Sequence, residues 1–520
     1  MASLHFLDWA VITVYFLAMA WLGFSFSKKN KDTEEYFVGG RRFKGWVVGL
    51  SLVGTSISSV SFLAYPADAY YTAWIRMLLN FLMPVAGAIA IYLFIPFYRA
   101  GRKTSAYQYL GLRFGEGIRM YGSIAYIIGQ FVRLAVVLFL VSKLLNTMLG
   151  WDIWVCIVVA GIVVSVYTIA GGIDAVVWTD VIQTLVLIFG GLVIFWIILR
   201  QIPGGIGLII DVAVEDGKLA FSEREGDTLV PLSWGWSLSK KTGLMILLLG
   251  LVNWLQEFGT DQNVVQRYCG AVSDKEARKA VWWTVWARLP IWALFMFLGT
   301  SMYVFFKFNP TVPAMEMLSG AQKPEGILPY FVMEYMPPGL SGLVIAAVVA
   351  AAMSSLDSSM NAISAVFVTD MYRNRICKDK DEKHYLFVSR LTATVAAVVM
   401  IVFATVLAYS QTKTIQDTVL ILTSIIGSGL LGLFSFGFFT KMGDSRSVGL
   451  GVVATICFTI YVLLGQNGFV PMPAFDLYYT TIVANILMFV VSFVAALVIK
   501  RSKTAPSLDN LTVWTMVKSK

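Results

Sequence analysis

The sequence predicts an all-α polytopic membrane protein. Of the 520 residues 58% are hydrophobic and only 14% charged, and the mean hydropathy is +0.74, well above a soluble protein of ordinary composition. The apolar residues gather into thirteen stretches, each long enough to cross the roughly 30 Å hydrocarbon layer of a bilayer. Two of those stretches are interrupted by polar clusters at corresponding places. Helices are expected throughout, because in lipid only a helix or a closed barrel satisfies its own backbone, and barrel strands would be shorter and alternating.

The spans lie near 6–26, 45–70, 74–98, 119–147, 152–169, 176–199, 243–262, 281–306, 341–366, 386–409, 417–440, 447–465 and 477–499. The first lacks a basic region before it and a small-residue cleavage site after it, so it is expected to be retained rather than removed as a signal peptide. The second contains GTSISSVS (54–61), and the seventh contains NWLQEFGTDQ (253–262) with Gly259 in its middle. These lie five spans apart, at matching places in two five-helix halves, spans 2–6 and 7–11. Paired interruptions of this kind point to a transporter built on an inverted repeat, with its binding site where the broken helices meet at the midplane; the alternative is that the small residues only let helices pack closely. Read as such a repeat, residues 1–44 are a first span and a cytoplasmic loop, 45–199 the first five-helix repeat, 200–242 an external loop, 243–440 the second repeat, and 441–520 two further spans and a cytoplasmic tail.

Basic residues set the expected orientation. Lys28, Lys29, Lys31, Arg41, Arg42 and Lys44 follow the first span; Arg99, Arg102, Lys103, Arg113 and Arg119 surround the link after the third; Arg373, Arg375, Lys378, Lys380 and Lys383 follow the ninth. All three groups belong to one side, the cytoplasmic one. The loop 200–242 instead carries Asp211, Glu215, Asp216, Glu223, Glu225 and Asp227. The amino terminus is therefore expected outside, and the carboxyl terminus, with Lys500, Arg501 and Lys503, inside a cell membrane, inner or plasma.

Several function classes are excluded. The net charge of +9 is spread over short loops, which speaks for topology and against nucleic acid. Cys156 and Cys457 lie in spans, Cys269 and Cys377 in expected cytoplasmic loops, so no disulfide framework is expected. Two histidines, His5 and His384, offer little material for acid–base catalysis or zinc. No Walker A pattern points to ATP, and no nucleophile, base and oxyanion arrangement can be assembled from the intramembrane residues.

The polar residues inside the spans carry the chemistry. In AAAMSSLDSSMNAIS (350–364), Ser354, Asp357, Ser358 and Asn361 share one helical face, with Ser355 and Ser359 beside it. Ser354 falls about 20 Å in from Ser341, near mid-span. A carboxylate at that depth costs a few kcal/mol and by default marks an ion or solute pathway. Hydroxyl, carboxylate and carbonyl oxygens are hard ligands, and with few formal charges a monovalent cation such as Na⁺ fits best. Asp180 is either part of such a pathway or a solvated residue capping a first turn. Arg133, about 20 Å into the fourth span, needs either an internal partner such as Asp180, Asp357 or Glu257, or an anionic group on a solute. Asn80, Gln256 and Glu257 are deep too, for interhelical hydrogen bonds or for solute.

At these residues the chain resembles the sodium:solute symporter family, through EEYFVGGRRF (34–43), SLVGTSISSVSFLAYPADAY (51–70), GGIDAVVWTDVIQ (171–183), GTDQNVVQRY (259–268) and AAAMSSLDSSMNAIS (350–364). The resemblance implies a leucine-transporter-type inverted repeat with flanking helices, and Na⁺ as coupling ion for uptake of sugars, sugar acids, carboxylates, amino acids or vitamins. It implies a main sodium site made by the carbonyls of Gly54, Ile57 and Ala351 with the hydroxyls of Ser354 and Ser355. A second site, found in part of the family, would use Asp180, Ser354 and Ser358, with Asp357 where the sialic acid transporters have another serine. The solute would lie against Ser56, Ser58, Ser61, Asn80 and Arg133. That arginine resembles the carboxylate-binding arginine of the sodium/sialic acid group, whereas Trp254 and Glu257 depart from the sodium/galactose pattern. The expectation is a sodium-coupled symporter in the lipid bilayer working by alternating access, its solute an acidic sugar such as sialic acid; a neutral sugar, a small carboxylate or a passive channel are the alternatives.

Overall fold

The computed structural model describes residues 4–27, 30–100, 103–226, 228–409, 429–466, 468–502 and 505–516, without the side chains of Ser59 and Val60. The helices that carry the architecture are α1 (Phe6–Ser27), α2 (Gly45–Ser56), α3 (Ser59–Tyr71), α4 (Trp74–Arg99), α5 (Glu116–Leu149), α6 (Ile153–Gln201), α7 (Gly205–Glu215), α8 (Gly243–Thr260), α9 (Gln262–Gly270), α10 (Asp274–Phe308), α11 (Leu340–Val366), α12 (Glu382–Tyr409), α13 (Leu430–Phe439), α14 (Ser445–Gln466) and α15 (Thr480–Val498). Among the described residues ten helices are long and apolar enough to cross a membrane, and the bent pair α2 and α3 adds an eleventh. The 49-residue α6 holds two of the expected spans, joined at Gly172. The described part of the expected span 417–440 ends in α13; residues 417–428 lie outside the described residues, as do Lys28, Lys29, Arg102, Asp227 and Lys503.

Gly172 has φ 59° and ψ −156°, a conformation left to glycine. A Cβ there would also stand 2.9 Å from the Tyr36 carbonyl. The first break falls inside the polar cluster read from sequence: Ile57 (φ −93°, ψ 92°) ends α2, and Ser58 in extended geometry caps α3, accepting from the Ser61 N–H at 3.4 Å. The two arms are bent by 61°. The second break also falls inside its polar cluster, at the C-terminal end rather than at Gly259. NWLQEFGT continues as helix through Gly259 to the end of α8, and the chain turns at Asp261 (φ −77°, ψ 122°) before α9. Its carboxylate accepts from the Asn263 N–H at 2.7 Å, a helix-start cap.

The region 200–242 is not a plain loop, and the chain is not purely helical. It contains α7 and an antiparallel hairpin, β1 (Ser222–Glu225) and β2 (Thr228–Pro231). Cys269, expected in a loop, is buried in α9.

Helix α11 is the axis of the bundle. Nearly all of its residues are buried, and it packs on α6, α5, α1 and α12. The three basic loops meet at one end, as their composition suggests: Thr33 Oγ1 donates to Glu382 (2.7 Å), Arg41 to the Lys103 carbonyl (3.3 Å), and Arg119 pairs with Asp370 (2.7 Å).

Candidate functional site

Two sets of polar groups meet where the broken helices cross α11. In the first, Ser354 Oγ donates to the Gly54 carbonyl at 2.9 Å and lies 3.1 Å from that of Ala351. Ser355 Oγ donates to the Thr55 carbonyl at 3.2 Å and lies 3.5 Å from Ala351 O. Both serines are buried. Gly54, Ala351, Ser354 and Ser355 are thus together, with the Thr55 carbonyl added. Ile57 is buried at the break, its N–H bonded to Val53 O, and it makes none of the described hydrogen bonds to the serines. The cluster is all oxygen, and the end of α2 leaves its last carbonyls free of intrahelical partners, which is the donor set that suits an alkali cation.

The second set centres on Arg267 of α9, a residue the sequence reading passed over. Its Nη2 donates to Asp180 Oδ2 (2.8 Å) and Ser358 Oγ (2.6 Å), its Nε to Ser51 Oγ (2.7 Å), and its Nη1 to Asn263 O (2.7 Å). Asp180 also accepts from Ser51 (2.6 Å) and Thr55 (3.3 Å). Asp180 is completely buried mid-helix, so it is no solvated helix-end cap. The guanidinium therefore lies between Asp180 and Ser358, two of the residues expected around a second cation. Asp357 stays in touch with this set through Ser358: Oδ1 accepts from the Ser358 N–H and, at 3.3 Å, from Ser358 Oγ, while Oδ2 accepts from Tyr167 at 2.7 Å.

A cavity of about 470 Å³ opens beside the first break, lined among others by Ser58, Gln130, Arg133, Gln256, Glu257 and Asp261. Of the residues expected to meet solute, Ser58 and Arg133 line it. Ser56, Ser61 and Asn80 do not: Ser56 donates to Glu257 (2.7 Å) and receives a short bond from Arg288, while Asn80 donates to Tyr65 (3.1 Å), whose ring stacks on Trp292. Glu257 is thereby tied to the fully buried Arg288 at 3.0 Å. Arg133 keeps a third of its side chain exposed to the cavity. None of the three carboxylates considered from sequence is its partner; Asp261 Oδ2 is nearest, 3.9 Å away, and Nη2 donates to Thr55 O at 3.3 Å. Arg288 carried a signal, an arginine inside the eighth apolar stretch. Arg267 carried little, since 263–280 reads as a polar link.

Hydrogen bonds also join the elements at the basic end. Tyr107 donates to Thr260 O (3.2 Å), Gln262 bridges Thr104 and Ala106, and Phe43 pairs through its backbone with Gly270 and Val272.

Residues 36–446 match the model of the sodium:solute symporter family. The sodium/sialic acid symporter SiaT of Proteus mirabilis is 33% identical over 464 residues, covering 89% of this chain and 90% of its own. The sodium/sialic acid symporter NanT of Aliivibrio fischeri is 29% identical over 97% of this chain and 96% of its own. The structure of a substrate-bound, outward-open Na⁺-coupled sialic acid symporter superposes with a TM-score of 0.85 at 29% identity, over 96% of this chain and 99% of that one.

Proposed function

The chain belongs to the sodium:solute symporter family, and from that membership we propose that it imports an acidic sugar of the sialic acid class by alternating access. Na⁺ is the coupling ion. The observation that carries the choice of solute is Arg133: among the described residues it is the cation of the cavity wall, partly exposed and hydrogen-bonded to no carboxylate. A guanidinium so placed holds a solute carboxylate through two parallel bonds. Around it, Gln130, Asn253, Gln256 and Glu257 supply donors and acceptors for hydroxyl and amide groups, more than a small monocarboxylate can use. The volume of about 470 Å³ suits a small organic solute.

The ion is assigned to Gly54, Ile57, Ala351, Ser354 and Ser355, where hydroxyls and carbonyls replace lost water. A second ion at Asp180, Asp357 and Ser358 requires the Arg267 guanidinium to move. The amino terminus is assigned to the outside and the basic end to the cytoplasm, so that each Na⁺ entering gains about 2.3 kcal/mol per 100 mV of inside-negative potential.

The test is uptake into proteoliposomes under an imposed Na⁺ gradient, with sialic acid, a neutral sugar and a monocarboxylate as solutes. Saturable accumulation of sialic acid that choline cannot support is expected; conduction without saturation would indicate a channel. Arg133→Ala should abolish uptake of the acidic solute, and sparing of the acidic solute would refute the assignment.

A further inference from the structure

The two breaks meet on one side chain. Arg133 donates to the carbonyl of Thr55, in the last turn of α2, and faces Asp261, the residue on which α8 turns into α9. At 3.9 Å the carboxylate is beyond hydrogen-bond distance, so charge alone holds it to the guanidinium. Both groups line the cavity. A solute carboxylate that reaches the guanidinium fork takes two bonds there and brings a second negative charge against Asp261. Like charges at such a spacing repel, strongly where water is sparse. Asp261 cannot yield without consequence, because the same carboxylate caps α9 through the Asn263 N–H.

We propose that Asp261 is a tethered anion that competes with the solute's carboxylate for Arg133, and so transmits solute occupancy to the hinge between α8 and α9. The proposal rests on the acidic-solute reading above. It makes Asp261 a positioning residue: the solute displaces its charge, and the displaced charge sits on the joint whose second arm, α9, carries Arg267 into contact with α2, α6 and α11.

The test is Asp261→Asn in the full chain. Asparagine has the same size and caps a helix as well as aspartate, so the negative charge is lost while the cap is kept. Equilibrium binding of N-acetylneuraminic acid to purified protein at saturating Na⁺ should tighten by about two- to fivefold, the scale of one partly exposed ion pair. Turnover in proteoliposomes should fall despite tighter binding. Asp261→Ser, which keeps an oxygen cap, should behave alike, and covers the case in which the asparagine variant does not fold. Unchanged or weaker binding by the folded variant overturns the proposal and leaves the solute reading standing. A wild type that binds a monocarboxylate but no sialic acid overturns the solute reading, and the variant is then scored with that monocarboxylate. A wild type that binds only neutral solutes overturns both.

Discussion

Ser355→Ala separates a coordinating hydroxyl from a structural one. In the structure Ser355 Oγ makes two long contacts, 3.2 Å to Thr55 O and 3.5 Å to Ala351 O, at a buried position. Bonds of that length contribute about 0.5–1 kcal/mol to folding, and alanine fits the space, so thermal stability in detergent should drop only slightly. As one of the five oxygens proposed to hold a dehydrated cation, the same hydroxyl would contribute on the scale of a hydrogen bond to a charged group, about 1.5–3 kcal/mol. That converts to a rise of roughly 10- to 150-fold in the Na⁺ concentration for half-maximal uptake. The assay is initial-rate uptake in proteoliposomes against Na⁺ at clamped potential and saturating solute. A rise below about threefold, under 1 kcal/mol, with normal expression and melting, would refute the assignment of Ser355 to the ion.

Three further outcomes follow from the same geometry. Arg267→Met leaves the buried Asp180 without its counterion, a loss of about 3–5 kcal/mol; adding Asp180→Asn should restore more than half of it in a detergent unfolding titration, and simple additivity would show the pair is not coupled. Gly54→Ala places a Cβ 2.6 Å from Thr184 Oγ1 and 3.1 Å from Asp180 O, which pushes α2 off α6 and carries the Gly54 carbonyl from Ser354; Na⁺ affinity should fall, and an unchanged Na⁺ titration would place the carbonyl outside the site. At the other end of the chain, burial pushes the Asp444 carboxyl up, but bonds from Arg446 and the Ser502 N–H outweigh it and hold it at about 2. Because the folded value lies below the ordinary one near 3.9, this tether of the tail stabilises fully above that pH and is lost as pH falls toward 2; the melting difference between wild type and Asp444→Asn should be flat from pH 8 to 5 and shrink below about pH 4.

Much of this was legible in the residues because lipid imposes a strict code. Spans follow from apolar length alone, and the serine helix declares its polar face through the spacing of Ser354, Asp357, Ser358 and Asn361. The first break is legible because GTSISSVS offers Ser58 as a cap in mid-span. The second is legible too, since NWLQEFGTDQ contains the turning residue: Gly259 costs a helix only about 1 kcal/mol, which packing absorbs, whereas Asp261 both ends one helix and caps the next. The partnership of Arg267 with Asp180 was illegible, since it joins residues 87 positions apart on elements whose approach only the closed fold creates. The hairpin at 222–231 was hidden by its charge, SERE reading as solvated loop until β2 pairs with it. Arg133 was legible as anomalous, but Asp261 was not among the partners considered for it, because only the fold brings the turn between α8 and α9 against α5.

One carbonyl connects the proposed ion site to the proposed solute site. Thr55 O accepts from Ser355 Oγ at 3.2 Å and from Arg133 Nη2 at 3.3 Å. A cation between α2 and α11 draws the lone pairs of Ser355 toward itself, and a hydroxyl committed to an ion keeps its proton free to strengthen its bond to Thr55. The shared carbonyl, fixed at the end of α2, then holds the guanidinium in one orientation toward the cavity. Coupling through a single neutral acceptor is bounded by the net value of a hydrogen bond, about 0.5–1.5 kcal/mol, or roughly two- to twelvefold in solute affinity per ion bound. By reciprocity the solute tightens Na⁺ by the same factor. Stronger coupling must come from the hinge at Asp261 and the packing of α9, since the carbonyl alone cannot supply it. The proposed ion and solute sites are thus joined both through the end of one broken helix and, on the proposal for Asp261, through the joint of the other.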